Sequence, residues 1–200
     1  MAEKHITIAL AGNANVGKSV IFNYLTGLHQ HIGNWPGKTV ERKEGSLRFE
    51  DHIIDVIDLP GIYSLSTYSL EELISREYIA LEKPDVIVNV VDASLLERNL
   101  FFTLQILELE IPIVIALNQI DIAAKKGIKI DHERLGELLN LPVVPCIATR
   151  GLGLDELVKR AIEVHERTKP HYLHYPRFGL EIEERISKLI AAIEQVHTSY

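Results

Sequence analysis

Eight consecutive residues, Gly12-Asn13-Ala14-Asn15-Val16-Gly17-Lys18-Ser19, carry the densest chemistry in the sequence. Their order fits the pattern G-x-x-x-x-G-K-[ST], in which glycines let the main chain turn tightly enough to aim successive N–H groups at phosphate oxygens. A helix starting at the lysine adds its positive end. On this reading Lys18 spans the β- and γ-phosphates of a nucleoside triphosphate, and Ser19 gives its hydroxyl to Mg²⁺. A chance glycine-rich turn between a strand and a helix would require neither the lysine followed by serine nor the spacing. The motif by itself leaves ATP and GTP both open.

A second group of residues suits the far side of the same phosphates. Asp58-Leu59-Pro60-Gly61 follows the apolar run Ile53 to Ile57. A carboxylate at Asp58 can hold Mg²⁺ through a bound water, and the Gly61 N–H can meet a γ-phosphate because no side chain blocks the approach. Loss of that phosphate would release the segment after Gly61. The rest of the magnesium site is expected from the stretch Leu28 to Thr39, with Gly37, Lys38 and Thr39 at the nucleotide and the Thr39 hydroxyl on the metal. Ser64, Ser66 and Thr67 come too late in the chain for that task. Loss of the phosphate would release this loop as well, giving two coupled switch segments.

Base choice falls to two later loops. In Asn118-Gln119-Ile120-Asp121 the aspartate can accept from guanine N1–H and the 2-amino group, whereas adenine offers neither donor. A buried carboxylate left unpaired costs about 1–3 kcal/mol, about tenfold or more in preference for guanine. Asn118 is expected to brace the phosphate loop as well as the base. Ala148-Thr149-Arg150 can present the Thr149 N–H to guanine O6. The three loops together select GTP.

The catalytic set read from these motifs is Asn15, Lys18, Thr39 and Gly61. The position after Gly61, where many GTPases keep a water-orienting glutamine, is Ile62, which has no polar atom; slow intrinsic hydrolysis follows. Asn15 has two readings. It caps a turn, or its side-chain carbonyl joins phosphate oxygens and carbonyls of the Leu28 to Thr39 loop around a monovalent cation standing in for an arginine finger.

These residues need a sheet edge to converge on. Strands are expected at His5 to Ala11, Val40 to Phe49, His52 to Asp58, Asp85 to Val91, Ile111 to Leu117 and Val143 to Ile147. Helices are expected at Lys18 to Leu28, Leu70 to Leu81, Leu95 to Leu109, Asp131 to Leu139 and Gly153 to Thr168. Apolar strands alternating with helices give an α/β fold of the P-loop NTPase type: three α/β/α layers on a mostly parallel six-stranded sheet, with one antiparallel edge strand. Such sheets bind ligands outside the carboxyl ends of their strands, where every motif above falls. Residues 1–168 make this domain, and 169–200 a Pro-rich linker followed by an amphipathic helix from Leu180 to about Val196, the start of a helical part.

Bulk composition narrows the classes further. A net charge of −7 with 28 acidic residues disfavours a nucleic-acid backbone as partner. The single cysteine, Cys146, excludes an internal disulfide, and it is expected in the core. No apolar run approaches the roughly 20 residues of a membrane-spanning helix, so the chain is expected to be soluble. His171 and His174, three apart beside tyrosines, are expected to be surface linker residues more than metal ligands.

The run Gly33-Asn34-Trp35-Pro36-Gly37-Lys38-Thr39, with the phosphate loop containing Asn15 and the segment Asp58 to Leu65, resembles the cytosolic G domain of the ferrous-iron transporter B family. That resemblance implies a GTPase stimulated by K⁺, with the cation held by Asn15 and the carbonyls of Gly33 and Trp35. It also implies a continuation into a helical domain that tunes GDP release and a membrane permease for Fe²⁺. This segment would then lie at the cytoplasmic face, with any self-association transient. Two departures from the family pattern, Gln119 and Ala148, point to looser nucleotide binding with quick exchange. Two alternatives compete with this reading: a GTPase of ribosome assembly or RNA modification, and a non-hydrolysing nucleotide-dependent interaction module.

Overall fold

In the computed structural model, which describes residues 4–65 and 69–167, β1 (Lys4–Gly12) is the central strand that feeds the phosphate loop. Its side chains alternate between two cores: Ile6, Ile8 and Leu10 face one, and Ala9 and Ala11 the other. β4 (His52–Asp58) and β5 (Val86–Asp92) flank it in parallel, and β6 (Ile113–Asn118) and β7 (Val143–Pro145) extend the sheet in the same sense. β5 and β6 are buried at every residue, as expected of strands covered on both faces.

Helices α1 (Lys18–Thr26) and α6 (Leu154–Arg167) cover one face, where Ile21, Phe22, Leu157, Val158 and Ala161 meet Ile8, Leu10, Val88 and Val114. On the other face α2 (Leu70–Glu77) and α3 (Leu96–Leu107) bring Ile74, Phe102 and Ile106 against Ile57, Ile87 and Ile115. Two short helices, α4 (Ile120–Lys125) and α5 (His132–Leu139), lie between β6 and β7. The start of α2 is fixed by a capping box: Ser69 Oγ accepts from the Glu72 N–H at 3.1 Å, and the Glu72 carboxylate accepts from the Ser69 N–H at 3.3 Å.

The three-layer architecture is the one expected, and most elements lie within a few residues of their expected bounds. The sheet has seven strands, in the order β2-β3-β4-β1-β5-β6-β7, instead of six. The addition is β2 (Gln30–Asn34), inside the stretch expected to be a loop, and it pairs antiparallel with β3 (Glu41–Phe49), which is antiparallel to β4. The antiparallel strand β3 is therefore one position in from the edge. Gln30 to Asn34 shows no apolar alternation because an edge strand with little burial is held by main-chain bonds alone.

The helix expected over Leu70 to Leu81 ends its α-helical part at Glu77 and continues as one π-helical turn, Tyr78–Glu82. The wider turn keeps two consecutive residues, Tyr78 and Ile79, both buried in the core. The linker, the helix expected from Leu180, His171 and His174, and also Ser66 and Thr67, lie outside the described residues. Among the described residues no helix is long and apolar enough to cross a membrane.

Candidate functional site

The strand-to-helix turn between β1 and α1 forms a concavity of about 460 Å³ lined by Asn13, Ala14, Asn15, Gly17, Lys18, Ser19 and Gly61, with Val20 at its side. Three backbone positions in the turn have positive φ, Gly12 at 151°, Asn15 at 66° and Gly17 at 90°. A Cβ on Gly17 would collide with the Asn118 side-chain amide, so only glycine lets the end of β6 approach so closely. Gly61 fits for a similar reason: a Cβ there would lie 3.1 Å from the Ala14 Cα. Gly12 and Val16 complete the turn from buried positions, the Gly12 carbonyl accepting from the Ile62 N–H at 3.3 Å.

Below this turn three functional side chains converge. Lys18 and Asp58, 8% and 7% exposed, form a buried ion pair, and Ser19 Oγ donates to the other Asp58 oxygen at 3.4 Å. Asp58 arrives here because β4 runs parallel to β1 with Asp58 in register with Leu10. A hydroxyl and a carboxylate together are hard oxygen donors of the kind Mg²⁺ takes while keeping several of its waters. The Asn13 Oδ1 is buried and without a hydrogen-bond partner among the described residues, so the loop retains an unused acceptor at its floor.

Asn118, at the end of β6, ties the base loop to the phosphate loop. Its Nδ2 donates to the Val16 carbonyl at 2.9 Å, and its Oδ1 accepts from the Ala148 N–H at 3.0 Å. Of the bracing expected from Asn118, the bond to the glycine-rich turn is present, and Asn118 also holds the turn Ala148–Arg150, whose Thr149 and Arg150 are exposed. Gln119, in a left-handed conformation with φ 62°, donates from Nε2 to the Asn15 carbonyl at 3.3 Å. Asp121 is half-buried in the first turn of α4. Reading the sequence placed Gln119 at the base and missed this link, for which a lone polar side chain gives no signal.

The switch loop is elsewhere. Gly33 lies in β2 opposite Arg42, Trp35 is buried in the core with Tyr78, and the Trp35 carbonyl accepts from the Lys38 N–H at 2.9 Å. Lys38 pairs with Glu77 at 2.7 Å; Gly37 and Thr39 are exposed. None of these five residues lines the phosphate concavity. Ile62 is 3% exposed and packs in the same core as Trp35, so its side chain reaches no water near Gly61. Cys146 is fully buried, its Sγ donating to the Val144 carbonyl at 3.3 Å, and burial pushes its thiol up to about 12.

The sequence model of the family described as "Ferrous iron transport protein B" matches residues 6–161. The chain is 52% identical over 166 residues to the Fe(2+) transporter FeoB of Salmonella typhimurium, covering 81% of this chain and 21% of that protein. It is 46% identical over 192 residues to the Fe(2+) transporter FeoB of Escherichia coli K12, covering 94% of this chain and 25% of that one. The chain therefore spans about a quarter or less of the length of these relatives. Among solved structures it is similar to an S. thermophilus NFeoB mutant bound to GDP, at 42% identity and a TM-score of 0.83, covering 93% of this chain and 71% of that one. The FeoB G-domain of Methanococcus jannaschii matches at 44% identity and a TM-score of 0.73, covering 82% of this chain and 99% of that one. The glycine-rich turn, the Lys18–Asp58 pair and the Asn118 loop thus sit on a scaffold shared along nearly the whole described chain, and the chain belongs to the ferrous iron transport protein B family.

Proposed function

We propose that this chain binds GTP and hydrolyses it to GDP and phosphate, and that in a longer polypeptide it is the cytosolic switch regulating ferrous iron uptake. The observation that carries the reading is the meeting of Lys18 and Ser19 on Asp58 beneath the glycine-rich turn, with Asn118 locking that turn to the base loop. GDP bound to a similar NFeoB supports the nucleotide. The other parts of the transporter, a helical domain and a membrane permease, are the partners proposed, at the cytoplasmic face of the membrane and with no nucleic acid. Self-association, where it occurs, is transient.

In this reading main-chain N–H groups from Asn13 to Ser19 and the Lys18 ammonium hold the phosphates. Lys18 exchanges its Asp58 partner for phosphate oxygens, leaving the carboxylate and the Ser19 hydroxyl to position the metal. Mg²⁺ held by the Asp58 carboxylate and the Ser19 hydroxyl would supply charge neutralisation at the phosphates. The Gly61 N–H donates to the γ-phosphate, and Thr39 reaches the metal after its loop moves. Asp121 accepts from the guanine edge, and the Thr149 N–H donates to O6. With Ile62 in place of a polar residue, intrinsic turnover is slow. Asn15 at the exposed lip of the turn is the residue through which K⁺ acts, and Gly33 and Trp35 must come with the switch loop to complete that set.

GTP turnover in K⁺ and in Na⁺, for the parent and Asn15→Ala, tests the cation reading. Stimulation by K⁺ that Asn15→Ala abolishes is expected; equal rates in all four conditions would remove K⁺ from the account.

A further inference from the structure

Lys38 and Thr39 are neighbours in the switch loop, and what holds Lys38 also decides where Thr39 can be. The Lys38 ammonium meets the Glu77 carboxylate at 2.7 Å on the last turn of α2, with the two side chains 22% and 48% exposed. Three residues earlier Trp35 is anchored far more firmly: it is 7% exposed, with its ring 5.4 Å from the Tyr78 ring at 70°, and the Arg42 guanidinium 5.1 Å from its centroid. Main-chain bonds close the loop on that anchor, Trp35 N–H to the Val40 carbonyl and Lys38 N–H to the Trp35 carbonyl, both at 2.9 Å.

The loop is thus fastened to the end of α2 and the π-helical turn by two contacts of unequal strength. An exposed ion pair is worth at most about fivefold in an equilibrium, whereas extracting a buried indole costs far more. The first to yield when a nucleotide draws the loop inward is therefore Lys38–Glu77, and the last is Trp35. A pocket of about 260 Å³ lined by Lys38, Glu77, Tyr78 and Leu81 lies beside the pair, so the Lys38 side chain has room to leave without repacking the core.

We propose that Glu77 is a positioning residue for the switch: through Lys38 it holds Thr39 away from the phosphate concavity. This rests on the reading of Thr39 as a magnesium ligand. It makes α2, which follows Gly61 in the chain, the part that restrains the Lys38–Thr39 segment. Glu77 itself touches neither nucleotide nor metal.

Calorimetric titration reads the affinities that test it. The experiment titrates Mg²⁺ with a non-hydrolysable GTP analogue, and separately Mg²⁺ with GDP, into the parent, Glu77→Gln and Glu77→Asp. Glu77→Gln is expected to bind the analogue about two- to fivefold more tightly with GDP affinity unchanged, and to lower KM for GTP with kcat unchanged. Glu77→Asp, which keeps the charge, is expected to fall between the two. Equal analogue affinity in parent and Glu77→Gln, or equal changes for analogue and GDP, would overturn the proposal. A Thr39→Ala control separates the two layers: if it binds the analogue as the parent does, the magnesium reading of Thr39 fails; if it binds weakly while Glu77→Gln changes nothing, only the restraint by Glu77 fails.

Discussion

Asn118 Nδ2 donates to the Val16 carbonyl across 2.9 Å, joining two loops that are 102 residues apart in the chain. With its Oδ1 on the Ala148 N–H, this one buried amide sets the distance between the phosphate turn, the base-reading strand and the last loop. Asn118→Ala leaves a buried carbonyl and a buried N–H unpaired, at about 1–3 kcal/mol for each group. Chemical denaturation is expected to show a lower midpoint at an unchanged slope, together with weaker GDP binding.

Lys18→Ala is expected to harm the folded chain as well as the chemistry. It strands the Asp58 carboxylate, 7% exposed, with only Ser19 Oγ at 3.4 Å. Removing one partner of a buried pair costs about 3–5 kcal/mol. Thermal unfolding without nucleotide should place Lys18→Ala below the parent, with Asp58→Asn less affected because the amide keeps an acceptor for the ammonium.

The elements that position the site were legible because burial on both faces writes itself into β5 and β6 as unbroken apolar runs, and the helices between them keep their apolar faces. The phosphate turn was legible because its backbone angles demand glycine at Gly17, and Asp58 because it ends a strand beside β1. β2 was not, since its partner supplies main-chain bonds and its side chains are mostly exposed. Nor was Glu77, which on sequence is one acid among several on a polar helix face; only its place opposite Lys38 distinguishes it.

Gln119→Ala removes the bond to the Asn15 carbonyl while leaving Asn118 in place. A neutral hydrogen bond is worth about 0.5–1.5 kcal/mol, so GDP affinity should fall by up to about tenfold with little change in unfolding temperature. Calorimetric titration of both proteins with GDP measures it; an unchanged affinity would make the contact incidental.

Cys146 supplies a signed pH dependence. Burial raises its thiol to about 12, so the folded state holds the proton more tightly than the unfolded chain, whose thiol titrates near about 8.5. That contribution is complete below the unfolded value and is lost as pH rises through the alkaline range toward the folded one. Tyr78, also raised to about 12 by burial, adds to the loss from its ordinary value near 10 upward. Unfolding free energy should therefore decline above about pH 8.5, less steeply in Cys146→Ala when each is scaled to its neutral value. A disulfide reagent at pH 8 should label the thiol only after denaturation.

If the glycine-rich turn holds phosphates and the Asp121 carboxylate selects guanine, turnover must be specific to GTP. Phosphate release from GTP and from ATP, run side by side with Mg²⁺ and K⁺ on the parent and on Lys18→Ala, tests it most directly. Saturable release from GTP, none from ATP, and loss of the GTP signal in Lys18→Ala is the result expected. Equal release from ATP, or a Lys18→Ala rate matching the parent, would contradict it.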